Sequence, residues 1–290
     1  MCGRLLLRFV GLAGLGMAAV AVALADGAQG AAAAPSQQAE PAPELDPMDL
    51  DGVDPQLSYV LSRYYQNALG GREHWQQVQS VRFEGSLQLA QGSFSFVAFK
   101  KKPEFCKVVL FAPNGERVVM AYDGQDAWQL NSVTAPVPAA MPPLEALNFI
   151  RDASVGGHLL YPTAPHKRIE LLGTQRVGDE ACSEVRVTLA DGQQVTYSIG
   201  MTSFTERRQA VVNAVSGEVE VTTHAQTQEV DGLLVPMQST MTVNGAFPIH
   251  DPYDYEFNTS SPLINAIFHP DTGEIMTYRK LIKDENTRDI

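Results

Sequence analysis

The sequence predicts a mainly β (α+β) domain, an antiparallel sheet that meanders and curls into a barrel with helices at its mouth. Three observations predict it. From Val81 onward, roughly ten short segments alternate apolar with polar residues, the period of strands with one buried face. Asp123-Gly124, Asp191-Gly192, Ser216-Gly217 and Asp231-Gly232 are hairpin turns between them, a spacing that favours a meander over a parallel α/β fold. Two segments, from Gln56 and from Pro142, instead follow the helical period.

The first residues form a separate element. Arg4 and Arg8 precede or open an apolar run, Phe9 to Ala25, that ends in Ala23-Leu24-Ala25, so residues 1–25 predict a secretory signal peptide cleaved near Ala25. A retained membrane anchor is the alternative, because the run approaches the shortest spanning length. Cys2 lies at the wrong end of the run for a lipidation signal. Residues 26–55 are Ala-, Pro- and acid-rich and predict a disordered leader. Within it, Asp49 to Asp54 has the look of half a calcium loop but lacks the remaining ligand spacing, so a solvated acidic linker is expected. Gln56 to Leu69 predicts a helix with Leu57, Val60, Leu61, Tyr64, Tyr65 and Ala68 on one face, stopped by Gly70-Gly71.

Val81 to Leu89 and Phe94 to Ala98 predict the first two strands, and the stretch from Lys100 to Leu130 three more. In that stretch a basic run stops at Pro103, Phe105 to Phe111 alternates, Pro113-Asn114-Gly115 turns it, and Asp123-Gly124 leads toward Trp128. Ala135 to Met141 is a Pro- and Ala-rich loop. Pro142 to Gly156 predicts a helix with Leu144, Leu147, Ile150 and Phe149 on its apolar side, followed by a Gly- and Pro-broken apolar segment through Pro162. Such an insertion between strands is either a mobile lid or a permanent plug. Further strands run through Lys167–Leu172, Ser183–Leu189, Gln194–Ile199, Arg207–Asn213, Val219–Gln228, Met237–Asn244 and Tyr253–Phe257, and residues 271–290 form a C-terminal extension with room for an edge strand.

The chain carries 21 basic and 33 acidic residues, a net charge of −12; without Arg4 and Arg8 the balance is 19 against 33, or −14. That argues against nucleic acid or an anionic membrane as a bulk partner. Cys106 and Cys182 remain after cleavage in a chain bound for an oxidising compartment, and form either a disulfide or two buried thiols. A Gly-x-Ser-x-Gly elbow, a Ser-x-x-Lys pair and a His-Glu-x-x-His helix are missing, and the six histidines are scattered, so no catalytic group, metal or cofactor is expected. Distant residues can still assemble a site.

The marks between Lys100 and Leu130, together with Ala68-Leu69-Gly70-Gly71, Val81-Arg82-Phe83-Glu84-Gly85 and the segment Asn258 to Pro270, resemble the periplasmic lipoprotein carriers, the LolA/LolB-like family. The resemblance covers residues 56–270. It implies an incomplete antiparallel barrel wrapped over helices, a LolA-like half-barrel whose apolar cavity receives acyl chains without any reaction. On this reading the inward residues are Phe83, Leu87, Phe94, Phe96, Met120, Tyr122, Trp128, Leu130, Leu144, Leu147 and Ile150, which either fill the interior or line an acyl cavity. The family's basic residue before the strand-opening proline, which latches the lid, corresponds to Lys102, a lysine where arginine is more typical.

The function implied is a monomeric periplasmic carrier, chaperoning acylated lipoprotein or lipid from an inner-membrane donor to an outer-membrane acceptor for outer membrane lipoprotein sorting. An envelope-stress sensor or interaction module of the same shape is the alternative. A periplasmic hydrolase with a scattered site is the third.

Overall fold

A computed structural model of the chain describes residues 45–89, 92–213, 217–243 and 246–257, together with a two-residue strand pair, Leu7–Arg8 with Ala21–Val22. Most of the expected signal peptide, residues 26–44 of the leader, and the C-terminal segment 258–290 lie outside the described residues.

Helix α1 runs from Pro55 to Ala68. The Asp54 carboxylate accepts the amides of Gln56 and Leu57, and Pro55 sits at a first-turn position where its missing N–H costs nothing. Its buried stripe is Leu57, Val60, Leu61, Tyr64, Tyr65 and Ala68, as the periodicity predicts. The end of the expected leader belongs to the domain instead: residues 45–54 form turns, and Met48 is 4% exposed within the core. Asp49 accepts the Asp51 amide and Asp54 caps α1, so these carboxylates organise local backbone. Helix α2, Gly71–Gln77, follows at once.

Thirteen strands then form one sheet. The N-terminal half holds β1 Ser80–Leu89, β2 Gly92–Lys101, β3 Phe105–Phe111, β4 Arg117–Tyr122, β5 Ala127–Asn131 and β6 Ala135–Ala140. Helix α3, Pro143–Arg151, and a segment of turns through His166 cross over to the C-terminal half. That half holds β7 Lys167–Val177, β8 Glu180–Leu189, β9 Gln194–Gly200, β10 Glu206–Val212, β11 Val219–Val230, β12 Leu233–Val243 and β13 Ala246–Phe257.

Every pairing is antiparallel, and the spatial order is β6-β5-β4-β3-β2-β1-β13-β12-β11-β10-β9-β8-β7. The last strand joins the halves, with Phe257 opposite Val81 and Tyr253 opposite Gly85. The two end strands, β6 and β7, do not pair, so among the described residues the barrel stays open. Helix α1 packs against β12 and β7 on the apolar face.

Residues 135–140 form an edge strand where a loop was expected; Pro136 and Pro138 are tolerated because an edge has an unpaired side. Helix α3 ends five residues before its expected end and buries Glu145 and Phe149, leaving Leu144 48% and Leu147 42% exposed. The 145/149 row faces the sheet, and the 144/147 row turns out.

Candidate functional site at the barrel mouth

Six of the eleven predicted inward residues share one face and one cluster: Phe83 and Leu87 on β1, Phe94 and Phe96 on β2, Met120 and Tyr122 on β4. Phe83 and Phe96 meet edge to face with centroids 6.2 Å apart. The α1 stripe and Phe149, Leu159 and Leu160 of the crossover pack in the same cluster, so these side chains form a packed core.

Trp128 and Leu130 are corrected to the opposite face. Trp128 stands opposite Ala121 and Leu130 opposite Val119, whereas Met120 and Tyr122 stand opposite Gln129 and Ala127. A difference of one residue in a strand reverses the face. Trp128 is nevertheless 1% exposed, in a second cluster with Phe99, Val109, Val119, Ala121 and Leu130, so this part of the sheet is buried on both sides. Ile150 is partly buried against the main core.

The side-chain contact from β2 to the crossover backbone is made by Lys100, two residues before Lys102, the residue expected to latch a lid. Lys100 follows Phe94, Phe96 and Ala98 on the inward face of β2 and is 0% exposed. Its ammonium donates to the Asp152 carbonyl and, at 3.5 Å, to that of Ser154. Lys102 points elsewhere: it donates to the Trp75 carbonyl at 2.9 Å and lies over the Trp75 ring. Two other donors hold the same crossover. The Tyr65 hydroxyl donates to the Leu159 carbonyl at 2.6 Å, and the Lys167 ammonium donates to the carbonyls of His158 (2.9 Å) and Leu160. Side chains of α1, β2 and β7 thus grip the backbone of residues 152–160, which satisfies carbonyls that its turns leave unpaired. Burial pushes Lys100 and Lys167 down to about 8, and it pushes the Cys106 thiol, directly across from Lys100, up to about 12.

Beside this crossover opens a cavity of about 560 Å³. Leu147 and Ile150 of α3, Leu160, Tyr161 and Leu189 give it an apolar wall, and Arg151 and Lys167, with His158 between them in the lining, a basic one faced by Glu104 and Asp191. Arg151 ties the end of α3 to the β8–β9 hairpin through Asp191 and Gln193. Burial, then the positive charges of Lys167, Lys100 and Arg151, push the His158 imidazole down to about 3, although the residue keeps some exposure at the cavity wall. Of the predicted cavity residues, Leu147 and Ile150 line this space.

Cys106 and Cys182 are free, buried thiols on β3 and β8, strands far apart in the sheet order. Among the described residues no group of three or more metal-ligating side chains assembles, and no helix is long and apolar enough to cross a membrane. Sequence reading did miss one polar group. Ser239 Oγ lies 2.7 Å from His224 Nδ1, and His224 Nε2 lies 3.7 Å from Glu206. All three are buried, and the cavity next to Glu206 measures about 20 Å³, less than a substrate needs. The spacing fits a polar core pair across β11 and β12. The side chains of His250 and His269 lie outside the described residues.

No family model matches the chain, and no curated protein matches it. Solved structures do. A DUF1329 family protein from Desulfovibrio piger aligns with a TM-score of 0.51 at 11% identity, over 75% of this chain and 99% of its own. A LolA superfamily protein from Nitrosomonas europaea aligns with a TM-score of 0.48 at 13% identity, over 69% and 91%. A Vibrio parahaemolyticus domain described as outer membrane lipoprotein-sorting aligns with a TM-score of 0.47 at 11% identity, over 71% and 92%. The open antiparallel sheet with helices on its apolar face is the incomplete antiparallel barrel that the sequence resemblance implied, a fold shared with the DUF1329 family protein. At these identities the likeness concerns fold.

Proposed function

We propose that the protein is a periplasmic carrier that shelters acyl chains of a lipoprotein or lipid at the mouth of its half-barrel. The observation that supports this reading is the cavity of about 560 Å³ between Leu147, Ile150, Leu160 and Leu189, beside a crossover held by three side-chain donors. Its volume falls in the usual range for small-molecule sites, about 300–1,000 Å³. Burying an acyl chain there gains about 0.8 kcal/mol per methylene, so shape and dryness suffice without catalytic groups. Release of the Lys100, Tyr65 and Lys167 contacts would connect the cavity to the aromatic core beneath, and their re-formation would expel cargo toward a tighter acceptor.

The test is to express the chain with its signal in a Gram-negative host, purify it without detergent and extract it for mass spectrometry. Near-stoichiometric acylated cargo is expected, and Leu147→Asp, at an exposed helix position, lowers its recovery without lowering the melting temperature. Lipid-free wild-type protein would remove the carrier reading. One observation favours a second reading, an interaction module of the same shape: the predicted interior residues of β1, β2 and β4 are packed. Stable co-purification with a protein partner in place of lipid would support it.

A further inference from the structure

The open sheet has two ends, and they differ. Strand β6 carries Pro136 and Pro138, which remove two backbone donors and blunt that edge. Strand β7 has eleven residues and no proline. Among the described residues nothing but β8 hydrogen-bonds to its backbone between Arg168 and Val177. A bulge interrupts the pairing where Glu184 faces Gly173 and Val185 faces Leu171, leaving Leu172 as the extra residue, 48% exposed. Gly173 accommodates it with φ of 143°, a conformation other residues rarely adopt. The regular free edge is therefore the stretch before the bulge, from Arg168 to Leu171.

That stretch borders a groove of about 610 Å³, whose far wall is the Asp51–Leu57 segment. Leu57, Ile169 and Leu171 supply apolar surface, while Asp51, Asp54 and Glu170 are its charged residues, with no lysine or arginine in the lining. Asp54 is engaged as the α1 cap and Glu170 by Arg186 and Arg168, so Asp51 is the acid without a side-chain partner there. The edge supplies unpaired backbone groups, the groove has room for a chain beside them, and the charge selects a basic partner.

We infer that β7 is a strand-addition site for an extended polypeptide that alternates apolar with basic residues. Its backbone pairs with Arg168–Leu171, one set of side chains enters the groove, and lysine or arginine faces Asp51. This inference does not depend on the acyl-chain reading, because the groove and the 560 Å³ cavity have separate linings.

The probe is a fluorescent nine-residue peptide alternating valine with lysine, added to the full mature chain and followed by anisotropy. It should bind about ten-fold or more tightly than the same peptide with glutamate for lysine, and Asp51→Lys should weaken it about five-fold. N-methylation of alternate peptide amides should abolish binding, and exchange of the Ile169 and Leu171 amides, which face away from β8, should slow on adding the parent peptide. Equal binding of the lysine and glutamate peptides, binding of the N-methylated peptide as tight as the parent, or no binding up to about 1 mM would each overturn the inference. So would a dimer by sedimentation in which these amides are already protected, since the edge would then belong to a second copy.

Discussion

Lys100 places a cation on the otherwise apolar inward face of β2, where it donates to backbone carbonyls of the crossover and the Asp152 carboxylate favours its charged form. Burial costs the charged form, which is why its pKa falls to about 8 from 10.5, and Lys167 behaves alike. Between those values the unfolded chain holds protons that the folded chain has released, so stability rises with pH from about 8 toward 10.5. Cys106 acts with the opposite sign. Its thiol is raised from 9.0 to about 12, so its contribution is complete below 9 and is lost as pH rises through 12. The clean window is pH 8 to 9, where denaturant unfolding should show rising stability, and Lys100→Met should flatten that rise. A wild-type curve that falls across the window would contradict the buried-lysine account. The same substitution strands the Asp152 carbonyl, at about 1–3 kcal/mol for an unpaired buried group, so amide exchange in residues 152–157 should accelerate about ten-fold or more. Tyr65→Phe should accelerate exchange near Leu159 by a similar mechanism, through loss of a buried bond worth about 1 kcal/mol.

At the scale of the element, the crossover owes its shape to close approach as well as to donors. Gly156 has φ of 93°, and a Cβ there would lie 2.4 Å from Trp75 and 2.5 Å from Leu160. Gly156→Ala should therefore cost about 2–3 kcal/mol, read as a lower denaturant midpoint at unchanged slope, because neither a ring of α2 nor a core leucine can yield that far. An unchanged midpoint would mean that the crossover is looser than its contacts. How much of this was legible varies with what fixes each element. The α1 stripe followed from spacing alone, since one amphipathic face over fourteen residues leaves a single solution. The β1, β2 and β4 inward residues followed from alternation. Trp128 and Leu130 did not, because alternation in β5 shows that the two share a face but not which face of the sheet that is, and here the second face holds a buried cluster of its own. Leu144 and Leu147 read as inward because with Ile150 they recur every three residues, yet the nine-residue helix turns its 145/149 row to the sheet. Lys100 was visible in principle: counting inward from Phe94 and Phe96 lands on it, two positions before the proline that drew attention to Lys102.

At the scale of the molecule, the sheet is continuous because its last strand lies between its first and its penultimate ones. Strand β13 joins two meanders, β1 to β6 and β7 to β12, that have no other strand pairing between them among the described residues. The crossover with α3 links the same halves at the opposite ends of the sheet, beside edges that never meet. Sequence order hides this arrangement, since alternation identifies strands and not their neighbours. It makes a specific demand on folding: the halves couple through contacts of high sequence separation, from Val81 to Phe257, so the sheet closes late and slowly. A chain ending at Phe257 retains every strand pairing of the thirteen-stranded sheet and should unfold in one cooperative transition, with amides of β1 and β12 exchanging together. A chain ending at Val243 loses the joining strand and exposes the facing edges of β1 and β12. It should unfold in two transitions or aggregate through those edges, with β1 exchange faster by orders of magnitude. A single transition for the shorter chain, at the midpoint of the longer one, would show that the helices and crossover hold the halves together without β13.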